Sequence, residues 1–200
     1  MNTAIFYDTE TTGLPLFNEP SEDPRQPHIV QLAAALVDLD TRKTIASMDV
    51  VCRPDGWTIP AAVTAIHGIT TEHALKFGVS ESMALGVFME LWASGRRLRI
   101  AHNEQFDARI VRISILRHDC VDEAAWKGGK AHCTQLLATP ILKLPPTERM
   151  RAAGRFHHKS ANLTEAHQHF FGKGFDGAHS AMADVQACMA VYFAIKDGAP

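Results

Sequence analysis

The alternation of apolar and polar positions divides the 200-residue chain into short strands followed by helices. A strand is predicted at about residues 3 to 10, and the Pro-rich, acidic stretch from Pro15 to Pro27 reads as a loop. His28 to Asp38 and Thr44 to Arg53 are strand-like and are joined at Asp40-Thr41-Arg42-Lys43 in the manner of a hairpin. Helical spacing begins at Pro60 and gives a piece to Ile66, another over Thr71 to Phe77, and a longer one from Ser80 to Ala93 with Ser80 as N-cap. A buried strand is predicted at Arg97 to Ala101, with a helix from Asn103, as its N-cap, to about His118. From 119 to 160, Gly128-Gly129, Pro140 and Pro145-Pro146 break any long element, leaving a short strand or helix near His132 to Thr139. Helices at Asn162 to Phe171 and Ser180 to Lys196 close the chain, the last apolar almost all round and therefore buried. Strands first, then alternating helix and strand, predict an α/β fold with a mixed central sheet flanked by helices, in one domain over residues 1–200.

Within these elements a few acids stand where an acid is costly. Asp8 and Glu10, two apart on the first strand, project from one face, where like charges raise one another's pKa unless a cation or a catalytic proton compensates. Asp107 lies one turn into the 103–118 helix beside Phe106, and Asp184 opens the apolar last helix at the edge of the core. His179, on the loop just before that helix, has an imidazole suited to taking a proton from water. Each has an ordinary alternative: a solvated strand end, a first-turn Asp on the helix dipole, a surface histidine.

Taken together, Asp8-Thr9-Glu10-Thr11-Thr12-Gly13-Leu14, His102-Asn103-Glu104-Gln105-Phe106-Asp107 and His179-Ser180-Ala181-Met182-Ala183-Asp184 resemble three ordered motifs of a known family. That family is the DnaQ-like 3'-to-5' exonucleases with a histidine in the third motif, which include the proofreading subunit of bacterial replicative polymerase, RNase T and oligoribonuclease. Ile66-His67-Gly68-Ile69-Thr70 matches a secondary signature of the same group. The resemblance implies the ribonuclease H-like fold and a metal-dependent enzyme releasing nucleoside 5'-monophosphates from nucleic-acid 3' ends. It implies that Asp8, Glu10, Asp107 and Asp184 hold two ions, Mg2+ or Mn2+, and that His179 is the general base. Thr11, Gly13, Leu14, His67, Asn103 and Phe106 are then the substrate contacts, with Leu14 wedging between terminal bases and His67 approaching the 3'-hydroxyl. Single-stranded DNA is the first choice of substrate; an exoribonuclease, or a nucleic-acid-binding protein that kept the fold without the chemistry, are the alternatives. Ser180 departs from the charged or amide residue more often found there.

Composition narrows the surroundings. At 46% apolar residues the chain can bury a sizeable core, and a formal charge of -2 argues against a generic basic nucleic-acid coat, though not against a nuclease with an acidic centre. Arg149, Arg151, Arg155 and Lys159, with His157 and His158, form a basic run suited either to a phosphate backbone or to solvent. Four scattered cysteines read as reduced thiols; His118, Cys120, His132 and Cys133 contain neither a Cys-x-x-Cys nor a His-x-x-x-His pair, which argues against zinc. The start at Met1, directly ahead of a strand, predicts a cytoplasmic chain without a membrane segment. The stop at Gly198-Ala199-Pro200 predicts a stand-alone enzyme rather than a polymerase-tethered proofreader, and several stand-alone relatives are dimers, so a homodimer is a further expectation.

Overall fold

A computed structural model describes residues 1–119 and 123–198. Five strands form one sheet: β1 (Thr3–Thr11), β2 (Ile29–Asp38), β3 (Thr44–Val51), β4 (Leu98–Ala101) and β5 (Lys130–Cys133), in the order β3-β2-β1-β4-β5. The β1–β2 and β2–β3 pairs are antiparallel, and β1–β4 and β4–β5 are parallel, so the sheet is mixed as the order of elements predicts.

Period-two alternation on β1 sends its residues to two different cores. Ile5 and Tyr7 join Leu32 and Ala34 on the face covered by α3 (Glu81–Ser94), α4 (Glu104–His118) and α5 (Glu123–Gly128), which contribute Leu85, Phe88, Trp92, Ile110, Val111 and Trp126. Ala4 and Phe6 join Ala33, Ala35 and Ile100 on the other face, packed against Val185, Cys188 and Tyr192 of α9 (Ala181–Lys196). Behind α9 lie α6 (Thr134–Leu142) and α8 (Leu163–Phe171), whose Ala138 and Ala166 pack on Val191. That second layer explains why α9 is apolar nearly all round: it has helices on one side and the sheet on the other. Short helices α1 (Ala61–His67), α2 (Thr71–Phe77) and α7 (Glu148–Ala152) complete the described elements. No helix of the described residues is long and apolar enough to cross a membrane.

Ser80 caps α3 as expected, accepting from Met83 N at 3.2 Å. Asn103 does not cap α4. Its side chain makes no cap hydrogen bond and its backbone is left-handed, with φ 66°, because the chain must turn from β4 into α4 within two residues, and asparagine tolerates that conformation. Pro140 does not break its element either; it sits in the last turn of α6, where the missing N–H costs only one helical hydrogen bond.

The Pro15–Pro27 loop is held by the cations of α4. Arg109 donates to the carbonyls of Leu16 and Glu19, Arg112 to the Ser21 hydroxyl, and Arg117 to the carbonyls of Gln26 and Pro27. A polar layer lies beneath the start of α4: Glu104 accepts from Arg99 Nε at 2.6 Å and from the Tyr7 hydroxyl at 3.2 Å. The Arg99 guanidinium lies 4.4 Å from the Trp126 ring centroid, and Trp126 meets Tyr7, Phe88 and Trp92 edge to face. Trp126 is 1% exposed, so Trp126→Ala opens a cavity against three rings and is expected to lower unfolding free energy by about 3–5 kcal/mol in denaturant titration.

Candidate active site

β4 stops at Ala101 and pairs with β1 only at Ile5 and Phe6, so the end of β1 runs on beyond its parallel neighbour. The N–H of Thr9 consequently has no partner on β4. It donates to Asp107 Oδ1 at 3.0 Å, and the Thr9 hydroxyl donates to the same oxygen at 2.7 Å. Thr9 points toward the α4 layer while Asp8 and Glu10 point toward α9. This one residue therefore ties an acid of one layer to a pair of acids facing the other.

Asp184, in the first turn of α9, completes the group. His179 precedes it with a left-handed backbone, φ 69°, and its N–H donates to Asp184 Oδ2 at 3.1 Å. Glu10, His179 and Asp184 can each aim one ligand atom so that all three lie within 4.8 Å of one another. The start of α9 is fixed beside Glu10 by Gln31, its register partner on β2, whose Oε1 accepts the Ala181 N–H at 3.3 Å.

The electrostatics follow from crowding carboxylates at the end of the central strand. Asp8 is pushed well above the usual carboxylate range, first by burial and then by the charges of Asp107, Asp184 and Glu10. Glu10 rises to about 7, through burial and the charge of Asp184. Asp107, 3% exposed, rises to about 8 because burial outweighs the two hydrogen bonds from Thr9. Asp184 is raised by burial, with the N–H and the charge of His179 opposing. Four acids that disfavour their own charge need a cation to ionise together. Oxygen donors with one imidazole suit a hard divalent ion, so the residues fit the metal cradle that the sequence implies.

The remaining expected contacts fall in different places. Leu14 is 74% exposed, on the loop leaving β1. Phe106 is half-buried against the Trp126 core, so part of its ring serves packing. His67 closes α1, with Nδ1 accepting the Ile69 N–H at 3.1 Å and a buried Nε2 that has no partner. Its pKa is lowered by burial and by the charge of His179, which puts the two imidazoles in electrostatic reach. Thr11 is buried and donates to the Gly13 carbonyl at 2.8 Å, so its hydroxyl shapes the turn. Asn103 lies at the entry to α4.

Thr9 and Gln31 were not among the expected site residues. Thr9 could have been found from strand alternation, since it faces the helix that carries Asp107. Gln31 could have been found as the polar residue within the apolar run Ile29 to Val37. Of the basic run, Lys159 pairs with Glu165 at 2.6 Å, whereas Arg149, Arg151 and Arg155 have no ion pair among the described residues. Of the zinc alternative, Cys120 lies outside the described residues, His132 Nδ1 meets the Tyr192 hydroxyl at 3.0 Å, and His118 lies 3.5 Å from Glu81. Cys52, Cys133 and Cys188 are free thiols.

Comparison with known proteins identifies the family and the fold. Residues 5–192 match the RNase T family model, described as exonuclease. A curated relative, the DNA polymerase III subunit epsilon-like protein of Rhodobacter capsulatus, is 36% identical over 110 residues, 55% of this chain and 14% of its own length. Escherichia coli exonuclease I in complex with a dT13 oligonucleotide superposes with a TM-score of 0.76 at 21% identity, covering 98% of this chain and 41% of that one. A zinc-bound form of its complex with single-stranded DNA gives 0.74 at 22% identity, with the same coverage. The ribonuclease H-like fold expected from the motifs is thus the fold observed. The chain spans less than half the length of these proteins.

Proposed function

The chain belongs to the exonuclease family, and from that premise we propose that it is a metal-dependent 3'-to-5' exonuclease that removes nucleoside 5'-monophosphates from single-stranded DNA ends. The observation that carries the reading is the convergence of Asp8, Glu10, Asp107 and Asp184, from three separate stretches of sequence, at the C-terminal end of the central strand β1 next to His179. Asp8, Glu10 and Asp184 would hold one divalent ion, and Asp8 with Asp107 a second. When bound, the two ions supply a water of lowered pKa and neutralise the charge that builds on the phosphate and the leaving oxygen.

The chain's own groups do the rest. His179, exposed on its loop and hydrogen-bonded through its backbone to Asp184, takes the proton of the attacking water. Thr9 holds Asp107 in one rotamer, and Gln31 holds the start of α9, so the acids keep their spacing. The Nε2 of His67 is buried without a partner, and a hydrogen bond to the terminal 3'-hydroxyl would satisfy it once bound substrate displaces the atoms that cover it. Leu14 offers an apolar wedge to the last bases, a sequence-tolerant contact. Exonuclease I is recorded with dT13 and dA16, which favours single-stranded DNA over RNA for this chain.

A 5'-labelled single-stranded 20-mer with Mg2+ or Mn2+ should give a ladder that shortens from the 3' end and stops on chelation, with a circular single strand left intact. Cleavage of the circle, or a ladder unaffected by chelator, would contradict the assignment. Leu14→Ala should raise KM about 10-fold with little change in kcat, since stacking on one base is worth about 1–3 kcal/mol; steady-state kinetics on the same oligonucleotide checks this.

A further inference from the structure

At the opposite end of the sheet, where β1 begins, two adjoining cavities of about 610 and 360 Å3 share Asn2, Leu98 and His132 as lining residues and so form one groove. Arg96, Arg97 and Lys130 line the larger part, and Arg42 and Lys196 the smaller. Among the described residues neither lining contains an aspartate or a glutamate, although the chain carries more acids than Lys and Arg, 22 against 20. Arg42 is paired with Asp197, but Arg96, Arg97, Lys130 and Lys196 have no carboxylate partner among the described residues. All four are exposed.

The groove is also a fixed one. Arg97 has a left-handed backbone, φ 53°, uncommon for a residue with a side chain, and its guanidinium lies 5.6 Å from the Trp92 ring centroid. Lys196 lies 5.5 Å from the Tyr192 ring, which stacks on His132. The register pairs Lys130 with Leu98, and the Arg96 N–H is anchored to the Thr3 hydroxyl at 3.0 Å. Apart from Arg42, whose charge Asp197 meets, these cations face one another without a carboxylate partner among the described residues, and a fold that holds them along a groove is organised for a polyanion.

We propose that this groove binds the phosphate backbone of a single-stranded nucleic acid, as a second contact for the polymer degraded at the other end. The proposal rests on the nuclease reading for the identity of the polymer. Five residues of β1 separate Thr3 at the groove from Asp8, or roughly 17 Å at about 3.3 Å per residue. Only a strand several nucleotides long can therefore reach both ends. A row of phosphates, rather than bases, is what unpaired Arg and Lys side chains recognise, so the contact is independent of sequence.

The test is fluorescence polarisation with 5'-fluorescein dT30 and dT4 in EDTA over a salt series, on the full chain and on the triple variant R96Q/R97Q/K130Q. The variant should bind dT30 at least 10-fold more weakly, and its slope of log affinity against log salt should be shallower by about 2, at about 0.7 for each phosphate no longer neutralised. Binding and Mg2+-dependent cleavage of dT4 should match the parent protein. R96K/R97K should keep the parental slope, and so should Lys76→Gln, which removes a cation from α2. An unchanged dT30 affinity and slope in a triple variant with the parental melting temperature would overturn the proposal, as would an equal loss on dT4. If neither protein cleaves dT4, the nuclease reading fails, while the slopes measured in EDTA still decide the groove.

Discussion

Asp8→Asn is expected to lower nuclease activity by about 10^3-fold or more and, in the same protein, to raise the stability of the metal-free fold at pH 8. Both effects have one cause. Asp8 lies near the end of the central strand, where it faces the charges of Asp107, Asp184 and Glu10, and its carboxyl is pushed well above its ordinary range. An isosteric amide removes the charge that burial and the three neighbouring carboxylates oppose, so it should raise the stability of the metal-free fold at a pH where the acid would ionise. In the proposed site the same charge would let the position hold cations, and an amide could not supply it. Initial rates with Mg2+ and chemical denaturation in EDTA measure the two effects separately. A variant that is less stable and still active would contradict both.

The second large effect concerns pH and metal. Glu10 and Asp107 rise to about 7 and about 8, and Asp8 and Asp184 are also raised, so the folded chain keeps protons that the unfolded chain has released. When the native state binds more protons than the unfolded state, stability falls as pH rises. The window runs from about 4.5, where ordinary carboxylates ionise, to about 8, with a slope of about 1.4 kcal/mol per pH unit for each retained proton. Metal-free protein should therefore melt at lower temperature at pH 8 than at pH 6.5, above which the partly buried imidazoles of His67, His102 and His132, whose lowered pKa values act in the opposite direction, no longer contribute. Mg2+ or Mn2+ should recover the difference at pH 8 and add little at pH 5, where protons already compensate. Scanning calorimetry across that range checks both limbs, and a metal-free melting temperature that does not change with pH would refute the electrostatic description.

The strands and long helices were legible because their periodicity is set by burial: β2 is apolar throughout, and α9 is apolar on two sides because it is packed on two sides. The ordered motifs were legible because acids beside apolar runs are costly and therefore informative. What sequence did not reveal was local geometry. Asn103 has the residue type of a cap, yet tertiary constraint at the end of β4 places it in the left-handed region, where its side chain caps nothing. Pro140 has the type of a breaker, yet it falls in the final turn of α6 and breaks nothing. Strand alternation puts Thr9 on the face opposite Asp8 and Glu10, toward the helix that carries Asp107, but does not by itself say that the two meet. Only the early stop of β4 shows that this direction leads to Asp107. The opposed basic groove was illegible for a different reason. Arg42 lies between β2 and β3, Arg96 and Arg97 just before β4, Lys130 at the start of β5 and Lys196 at the end of α9, four separate stretches of sequence that only the tertiary fold gathers.

Anomalous scattering from crystals soaked in Mn2+ and a nucleoside 5'-monophosphate tests the central claim most directly. The account predicts two peaks roughly 3.5–4 Å apart, the first touching Asp8, Glu10 and Asp184 and the second touching Asp8 on the Asp107 side, with the phosphate between them and His179 facing the first. Peaks elsewhere, or a site that stays empty at saturating Mn2+ above pH 8, would contradict it.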